Sequence, residues 1–413
     1  MRILLLSQWF QPEPFFKGLP FARALRDRGH KVEVLTGFPN YPGGKVYSGY
    51  RIRPWQSEEM DGIHVIRTAL YPSHDRSGFG RALNYLSFSL TSALFGAFLV
   101  DEPEVVYASN LPTLWPASLV LRLRYRCPVV YDILDLWPDS VAGSGMMNNK
   151  LLLKVLGSLC LAVYRRASHL VTTSPGIKAE LVRRGVPEEN ITLIYNWCDE
   201  EYMKPAERDN SLAAKLGLSD DFIVMFAGTM GVMQGLDSIL DAAAQLCTVQ
   251  PKIRFVFVGG GIDRDRLQRL ALERRLANVT FVERQPPETM AAILALADVL
   301  LVHLRDTPLF RMTIPSKIQA YMAVGKPILL GVQGDSADII RNSGAGIIAE
   351  PERAESIARG VLQFFEMTEV NRERIGMNGR EFYRDDLSIN AGVRRFEAIF
   401  ENACNGFRTS MEQ

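Results

Sequence analysis

The run with the clearest chemistry is Thr313-Ile314-Pro315-Ser316-Lys317-Ile318-Gln319-Ala320-Tyr321-Met322-Ala323-Val324-Gly325-Lys326-Pro327. It sets a polar, cationic loop at the head of a short helix, which Gly325-Lys326-Pro327 stops before the apolar strand Ile328-Leu329-Leu330. A helix N-terminus carries unpaired N–H groups and a partial positive charge, so it attracts phosphate, and Lys317 adds a full charge beside it. The pattern points to a nucleotide-linked diphosphate held at the carboxyl edge of a parallel sheet. Two glycine turns join it. Gly228-Thr229-Met230-Gly231-Val232-Met233-Gln234-Gly235 leaves one apolar strand, and Gly259-Gly260-Gly261 leaves another. Glycine lets backbone amides come close to a phosphate. Neither turn fits the dinucleotide fingerprint or the Walker pattern, and each alone reads as an ordinary tight turn. Their convergence on one edge makes Gly228, Thr229, Gln234, Gln285, Ser316 and Lys317 candidates for holding the diphosphate-bearing ligand.

The first half offers a second set. Gly18, in Phe16-Lys17-Gly18-Leu19-Pro20, either permits close approach of that ligand or is a plain helix-entry turn. Lys17 and Asn110 are candidates for a second substrate. Asp132-Ile133-Leu134-Asp135-Leu136-Trp137-Pro138-Asp139 follows a predicted strand. Asp135 would stand at the strand's carboxyl end, able to orient or activate a hydroxyl. Trp137 offers a flat apolar face for a sugar or lipid, although a core position is the commoner fate of a tryptophan, and Asp139 reads as structural. His169 and His303 read as satisfied structural histidines. The sequence holds no HExxH, no GxSxG and no Cys–His arrangement of recognisable spacing, so metalloprotease and serine-hydrolase readings have no support.

The elements that would position these residues alternate strand and helix. Strands are predicted at Ile3–Ser7, Lys31–Thr36, Val105–Ala108, Val129–Asp132, Leu170–Thr173 and Ile191–Ile194. Helices fall at Leu19–Arg28, Leu151–Arg166 and Gly176–Arg184. A charged stretch with Pro205, Asp199 to Ser211, reads as a linker. Alternation then restarts with strands Ile223–Ala227, Arg254–Val258, Val279–Val282 and Val299–His303, separated by helices Leu236–Leu246, Arg264–Arg275 and Met290–Leu296. Such alternation implies parallel sheets with right-handed crossovers. The expected organisation is a first domain over 1–200, a linker over 201–212, a second domain over 213–388, and a terminal segment over 389–413. Ligands would sit beyond the strands' carboxyl ends, in a cleft between the domains.

At 413 residues, 47% of them apolar, the chain has material for two cores. A net charge of +1 argues against general nucleic-acid binding. Five scattered cysteines without a CxxC pair suit reduced thiols in a cytosolic protein, not a disulfide framework or zinc site. The N-terminal apolar run is too short for a signal peptide and suits a first strand. One segment, Tyr85–Val100, is sixteen uncharged residues, short of the roughly 20 that span hydrocarbon. It reads first as a buried helix, with a helix lying in the headgroup layer as the alternative.

Taken together, these segments resemble the bacterial retaining glycosyltransferases of sequence family four, with the two-domain GT-B architecture, and in particular their WbuB-like branch of O-antigen and capsule assembly. The likeness rests on Lys17-Gly18-Leu19, the run Arg28-Gly29-His30-Lys31-Val32 continuing to Gly37-Phe38-Pro39-Asn40-Tyr41-Pro42, and Asp135-Leu136-Trp137-Pro138-Asp139-Ser140. It continues in Tyr195-Asn196-Trp197, Ala227-Gly228-Thr229-Met230-Gly231, Ala297-Asp298, and Pro315-Ser316-Lys317 with Tyr321-Met322-Ala323. The resemblance implies an α/β fold of two doubly wound, Rossmann-like domains facing a central cleft, with the donor in the second and the acceptor in the first. It implies transfer of a sugar, on this branch an N-acetylated amino or deoxy-amino sugar, from a UDP-linked donor to a polyprenyl-diphosphate-linked glycan. Retention of configuration is implied, with no metal and no cofactor beyond the nucleotide sugar. The place implied is cytoplasmic, peripheral on the inner face of the plasma membrane, and the terminal helix, Ile389–Cys404, would cross back to the first domain.

The departures are specific. Many relatives carry two glutamates eight residues apart, one on the donor sugar and one on the ribose; here those slots hold Met312 and Ala320. Thr229 and Gln234 replace the usual Arg and Lys of the glycine loop, and Leu134 stands where a histidine is common. Arg311 and Lys317 are then the candidates for the missing positive charge, and Gln319 for the ribose contact. A non-catalytic donor-binding partner subunit, or an epimerase of the same fold, stays open as an alternative.

Overall fold

The computed structural model describes residues 1–73, 78–109, 112–143, 147, 149–219 and 221–412. The chain divides into two compact units: Met1–Tyr195 with Gly392–Gln413, and Asn196–Ala391.

The first unit runs β1 (Arg2–Leu6), α1 (Leu19–Asp27), β2 (Lys31–Gly37), β3 (Trp55–Met60), β4 (Ile63–Thr68), α2 (Gly78–Leu99), β5 (Val105–Ser109) and α3 (Trp115–Tyr125). It continues with β6 (Val129–Ile133), α4 (Asp139–Gly143), α5 (Lys150–Arg166), β7 (His169–Thr172), α6 (Pro175–Arg183) and β8 (Ile191–Leu193). The sheet order is β3-β4-β2-β1-β5-β6-β7-β8. Its central strands are buried along almost their whole length, as expected where helices cover both faces of a parallel sheet. One pairing departs from the purely parallel expectation: β3 and β4 are antiparallel at the sheet edge. Asp61-Gly62 joins them, both with positive φ (49° and 71°), the conformation a two-residue hairpin turn requires.

Two buried polar clusters brace the carboxyl edge of this sheet. Lys17 is fully buried, and its Nζ lies 2.5 Å from Asp132 Oδ2, which also accepts a hydrogen bond from the Tyr107 hydroxyl at 2.6 Å. Lys17 is therefore not an acceptor ligand; it is the counter-ion of a buried carboxylate. Gly18 is likewise explained by packing. A Cβ there would sit 2.1 Å from Gln11 Oε1, the atom that accepts from the Leu19 N–H at the start of α1. In the second cluster, buried Glu13 accepts from the backbone N–H groups of Tyr41 (2.7 Å), Asn40 (2.8 Å) and Phe10 (3.2 Å). It thereby staples the loop after β1 to the loop after β2. Burial pushes the Glu13 carboxyl up from 4.5 to about 7, against the opposing pull of those N–H groups and Arg67.

The apolar segment read as a buried helix forms most of α2, and it is not buried. The helix turns its small and polar side inward, with Gly80, Asn84, Ser89, Ser92 and Gly96 buried around Phe88. Those polar groups are used there: Asn84 donates to Tyr71 O at 2.7 Å and to Asn40 Oδ1 at 3.2 Å, and Ser89 donates to Thr113 O. The outer side exposes Phe79, Leu83, Leu86, Leu90, Leu94 and Phe98.

The second unit runs α7 (Asn210–Lys215), β9 (Phe222–Ala227), α8 (Asp237–Val249), β10 (Ile253–Val258), α9 (Arg264–Glu273), β11 (Val279–Val282), α10 (Met290–Ala295) and β12 (Val299–His303). It then holds α11 (Pro308–Arg311), α12 (Ser316–Val324), β13 (Ile328–Gly331), α13 (Asp335–Ser343), β14 (Gly346–Ile348), α14 (Ala354–Glu366) and α15 (Glu369–Phe382). Its six strands pair in the order β11-β10-β9-β12-β13-β14, all parallel. Phe226, Phe257, Leu240 and Val361 lie in its core. The charged stretch read as a linker is tied into this unit. Cys198 N–H donates to the Tyr383 hydroxyl, which donates to Glu200 Oε1 at 2.8 Å. The final helix, α16 (Ile389–Glu412), groups with the first unit from Gly392 onward. There Phe396 packs on Phe21 and Tyr107, and Glu397 pairs with Arg28 and His30.

Removing Lys17 leaves Asp132 in the core without its counter-ion, so Lys17→Ala is expected to lower stability by about 3–5 kcal/mol in urea unfolding of the full chain. A ligand-binding role would instead leave stability unchanged and raise KM. For Glu13, a folded-state pKa above the unfolded one means stability that is present below 4.5 and lost as pH climbs through about 7. Relative to wild type, Glu13→Gln should therefore gain stability between about pH 5 and about pH 8, by up to about 3 kcal/mol. A wild-type-to-variant gap in melting that stays constant over that range counts against the assignment.

Candidate functional site

In the second unit the candidates meet at the carboxyl ends of β9, β10 and β12. The turn after β9 is held by the turn after β10: Gly228 N–H donates to Val258 O at 2.9 Å, and Met230 N–H to Gly260 O at 2.7 Å. The approach is so close that a Cβ on Gly259 would lie 2.3 Å from Gly228 O, and one on Gly261 2.1 Å from Met230 O. Gly228, Gly259 and Gly261 all hold positive φ, which glycine alone adopts without strain. Gly228 and Thr229 are left exposed, with backbone facing outward.

Beside this turn stands the start of α12. Pro315 precedes the helix and no side chain caps it, so the first-turn N–H groups of Ser316 and Lys317 remain available. Tyr321 locks the helix in place: its hydroxyl accepts from Ala227 N–H at 3.0 Å and donates to Ala227 O at 3.2 Å. Lys317 reaches back across the Gly228 turn. Its Cε and Nζ lie 2.9 and 3.1 Å from where a Gly228 Cβ would be, and the ammonium sits over the Phe226 ring at 4.8 Å. Burial, uncompensated by any carboxylate among the described residues, pushes this ammonium down to about 8. The combination of exposed glycine backbone, an uncapped helix N-terminus and a half-buried cation suits a diphosphate.

The other candidates divide. Gln234 Oε1 accepts from Gly231 N–H at 2.9 Å, so this side chain closes the turn. Gln319 faces inward and is buried. In the amide orientation that satisfies both atoms, its nitrogen donates to Pro315 O at 2.8 Å and Ser316 O at 3.3 Å, which removes it as the ribose contact. Arg311 is exposed and spent on a two-point pair with Asp306, both distances 2.7 Å, so it does not supply the missing charge. Gln285 lies past β11, its amide donating to Glu283 O. His303 is buried and satisfied at both nitrogens, by Gln234 O at 2.6 Å and Glu352 N–H at 2.9 Å. Sequence reasoning missed Arg305, two residues beyond β12. Its N–H donates to Met233 O, and its stem lies against Gly235. A cavity of about 450 Å³ lined by Glu200, Lys204, Ala323 and Arg380 lies at the other end of α12 and is unconnected with these groups.

In the first unit, Asp135 is exposed two residues beyond β6, and Trp137 is buried with its ring against Tyr85 at 6.2 Å. Trp9 completes a wall, with ring centroids 5.4 Å from Tyr41, 6.3 Å from Tyr85 and 6.4 Å from Phe15. Burial raises the Tyr85 phenol, Arg81 opposes the rise, and Tyr41 and Asp135 add to it. Trp9, Tyr41 and Tyr85 went unselected in the sequence, although Trp9 and Tyr41 each follow a strand on the same edge. Asn110 lies outside the described residues. Among the described residues no three His, Cys, Asp or Glu side chains converge as metal ligands.

Two family models match, one on each unit: the glycosyl transferase 4-like domain over residues 19–197, and glycosyl transferases group 1 over residues 208–382. WcaI of Escherichia coli K12, named for colanic acid biosynthesis, is 28% identical over 82% of this chain and 85% of its own. WbjE of Pseudomonas aeruginosa, also named as a glycosyltransferase, is 26% identical over 71% of this chain and 74% of its own. Among solved structures, HepE of Anabaena in complex with UDP aligns with a TM-score of 0.70 over 97% of this chain and 100% of its own, at 17% identity. Sucrose-phosphate synthase of Thermosynechococcus elongatus aligns equally well, TM-score 0.70 over 97% and 98%, at 19% identity. At these identities the structural likeness is one of fold, and that fold is GT-B. Fold, paired domain matches and relatives covering most of their own length agree: the chain belongs to the glycosyltransferases of GT-B architecture.

Proposed function

We propose that the protein moves a sugar, with retention of configuration and without a metal, from a UDP-linked donor to a polyprenyl-diphosphate-linked glycan in cell-surface polysaccharide assembly, in the manner of the WbuB-like branch. The donor sugar proposed is an N-acetylated amino or deoxy-amino sugar. One observation carries the reading: Lys317 and the uncapped start of α12 stand over the exposed Gly228 backbone. Sugar transfer from a nucleotide donor leaves a diphosphate whose charge grows as the glycosidic bond breaks. Preorganised N–H groups and a cation at that point stabilise the transition state more than the ground state. Support also comes from the neighbour HepE, solved with UDP and with UDP-glucose, and from WcaI, named for colanic acid biosynthesis. On the acceptor side, Asp135 orients the attacking hydroxyl, and the half-buried Trp9–Tyr41–Tyr85 wall, backed by buried Trp137, takes the sugar faces.

A non-catalytic, donor-binding subunit is the second reading, favoured by Met312 and Ala320 in the two acidic slots. Turnover separates the two. With UDP-, TDP- and GDP-sugars and a lipid-linked acceptor, the transferase reading expects product, and Lys317→Ala should lower kcat/KM by about 10²–10³. Binding of a donor without turnover on any acceptor overturns it in favour of the subunit. Conversion of the donor without acceptor identifies an epimerase.

The pH dependence gives an independent check. With the free ammonium titrating at about 8, UDP affinity measured by calorimetry should fall as pH rises through that value, because the cation is lost. Lys317→Arg keeps its charge at every accessible pH and should flatten the profile.

A further inference from the structure

We propose that the outer face of α2, with the adjoining exposed surfaces of α3 and α5, is a docking surface for an anionic lipid bilayer. The helix is inverted relative to one that borders water. Its polar residues point in and are hydrogen-bonded to the loops beneath, while Phe79 (81% exposed), Leu90 (67%) and Phe98 (80%) point out. The exposed set 79, 83, 86, 90, 94 and 98 recurs at three- and four-residue steps, so it forms one continuous stripe down the helix. Only a third of its most apolar window is buried.

Length alone would let α2 cross a membrane, but its docking forbids that. A Cβ on Gly96 would meet Leu35 of β2 at 2.7 Å, and Ser89 bonds to Thr113 O, so the inner face is fixed to the sheet layer and cannot meet lipid. The helix can only lie in the bilayer plane, about 30 Å of apolar stripe at headgroup depth. A second stripe adjoins it. Trp137-Pro138 lies between the two helices, with Trp137 against Tyr85 of α2 and Pro138 within 3.4 Å of a Gly157 Cβ on α5. There α5 exposes Leu151, Leu152, Val155 and Leu159, and α3 exposes Leu123.

Charge selects the occupant. Together α2, α3 and α5 contain seven Lys and Arg residues and no Asp or Glu. Among the described residues, Arg122, Arg124, Lys150, Lys154, Arg165 and Arg166 make no ion pair with a carboxylate. The whole chain is close to neutral, at +1, so this layer is a local concentration of positive charge around exposed leucine and phenylalanine. Such a surface matches the negative potential and apolar interior of an anionic leaflet. The proposal places the protein at the membrane face where a lipid-linked acceptor would lie. It rests on residues separate from the donor edge, so the two readings fail independently.

The test is vesicle flotation of the full chain without nucleotide or acceptor. Expected is flotation with phosphatidylcholine vesicles containing about 30% phosphatidylglycerol and none with phosphatidylcholine alone, reversed by about 0.5 M salt. Two paired variants, Leu90→Glu with Leu94→Glu and Lys150→Glu with Lys154→Glu, should each reduce the bound fraction about tenfold or more, with melting unchanged. Absence of flotation, or equal binding to both vesicle types, overturns the proposal. So does a soluble dimer by light scattering that the leucine pair dissociates, since a second copy would then cover the face.

Discussion

The donor edge depends on backbone packed directly against backbone. With 2.3 Å between the Gly228 carbonyl and any Cβ on Gly259, no side chain fits between the ends of β9 and β10. The two turns therefore bond to each other, and the outer backbone of Gly228 and Thr229 is left facing out. The space above Gly228 that a side chain would fill is occupied instead by the stem of Lys317. An alanine at 228 would both strain the turn and displace the cation, so glycine turn, helix start and lysine form one device.

Much of the fold was legible because it follows from periodicity. Short apolar runs alternating with amphipathic helices leave few options besides covered parallel sheets, and both units are built that way. The hairpin at Asp61-Gly62 was equally legible from a local turn signal and was passed over, because the flanking strand Trp55–Met60 is polar and sits on the sheet edge. Direction of side chains was the part the sequence did not carry. Lys317 and Gln319 lie two residues apart on one helix, which is about 200° of rotation, so they cannot both face the glycine turn. Lys17 and Asp132 are 115 residues apart, and nothing local announces that one neutralises the other.

The inversion of α2 shows the same limit at the scale of a helix. Gly80, Asn84, Phe88, Ser92 and Gly96 recur every fourth residue, the spacing of a face that packs closely on its neighbour. Leu83, Leu86, Leu90 and Leu94, with Phe79 and Phe98, are then left on the outer side. Composition cannot tell which face meets the protein, because both the small-polar and the large-apolar side have plausible uses. Hydrogen bonds from Asn84 and Ser89 to loops beneath them decide it, and they are visible only once the chain is folded.

The departures from the family pattern take on physical meaning at Lys317. Position 320 lies three residues further along α12, on the same face as 317, where a glutamate would be within pairing distance of the ammonium. Alanine stands there instead. No carboxylate among the described residues compensates Lys317, and burial alone sets its lowered pKa. The ammonium is thus held at a desolvation cost that an incoming anion relieves, which favours a ligand carrying concentrated negative charge over a neutral sugar. On the function proposed above, losing the acid leaves the full charge of Lys317 for the diphosphate. On that reading the site draws its binding energy from the leaving group, where charge accumulates during transfer, more than from the nucleoside.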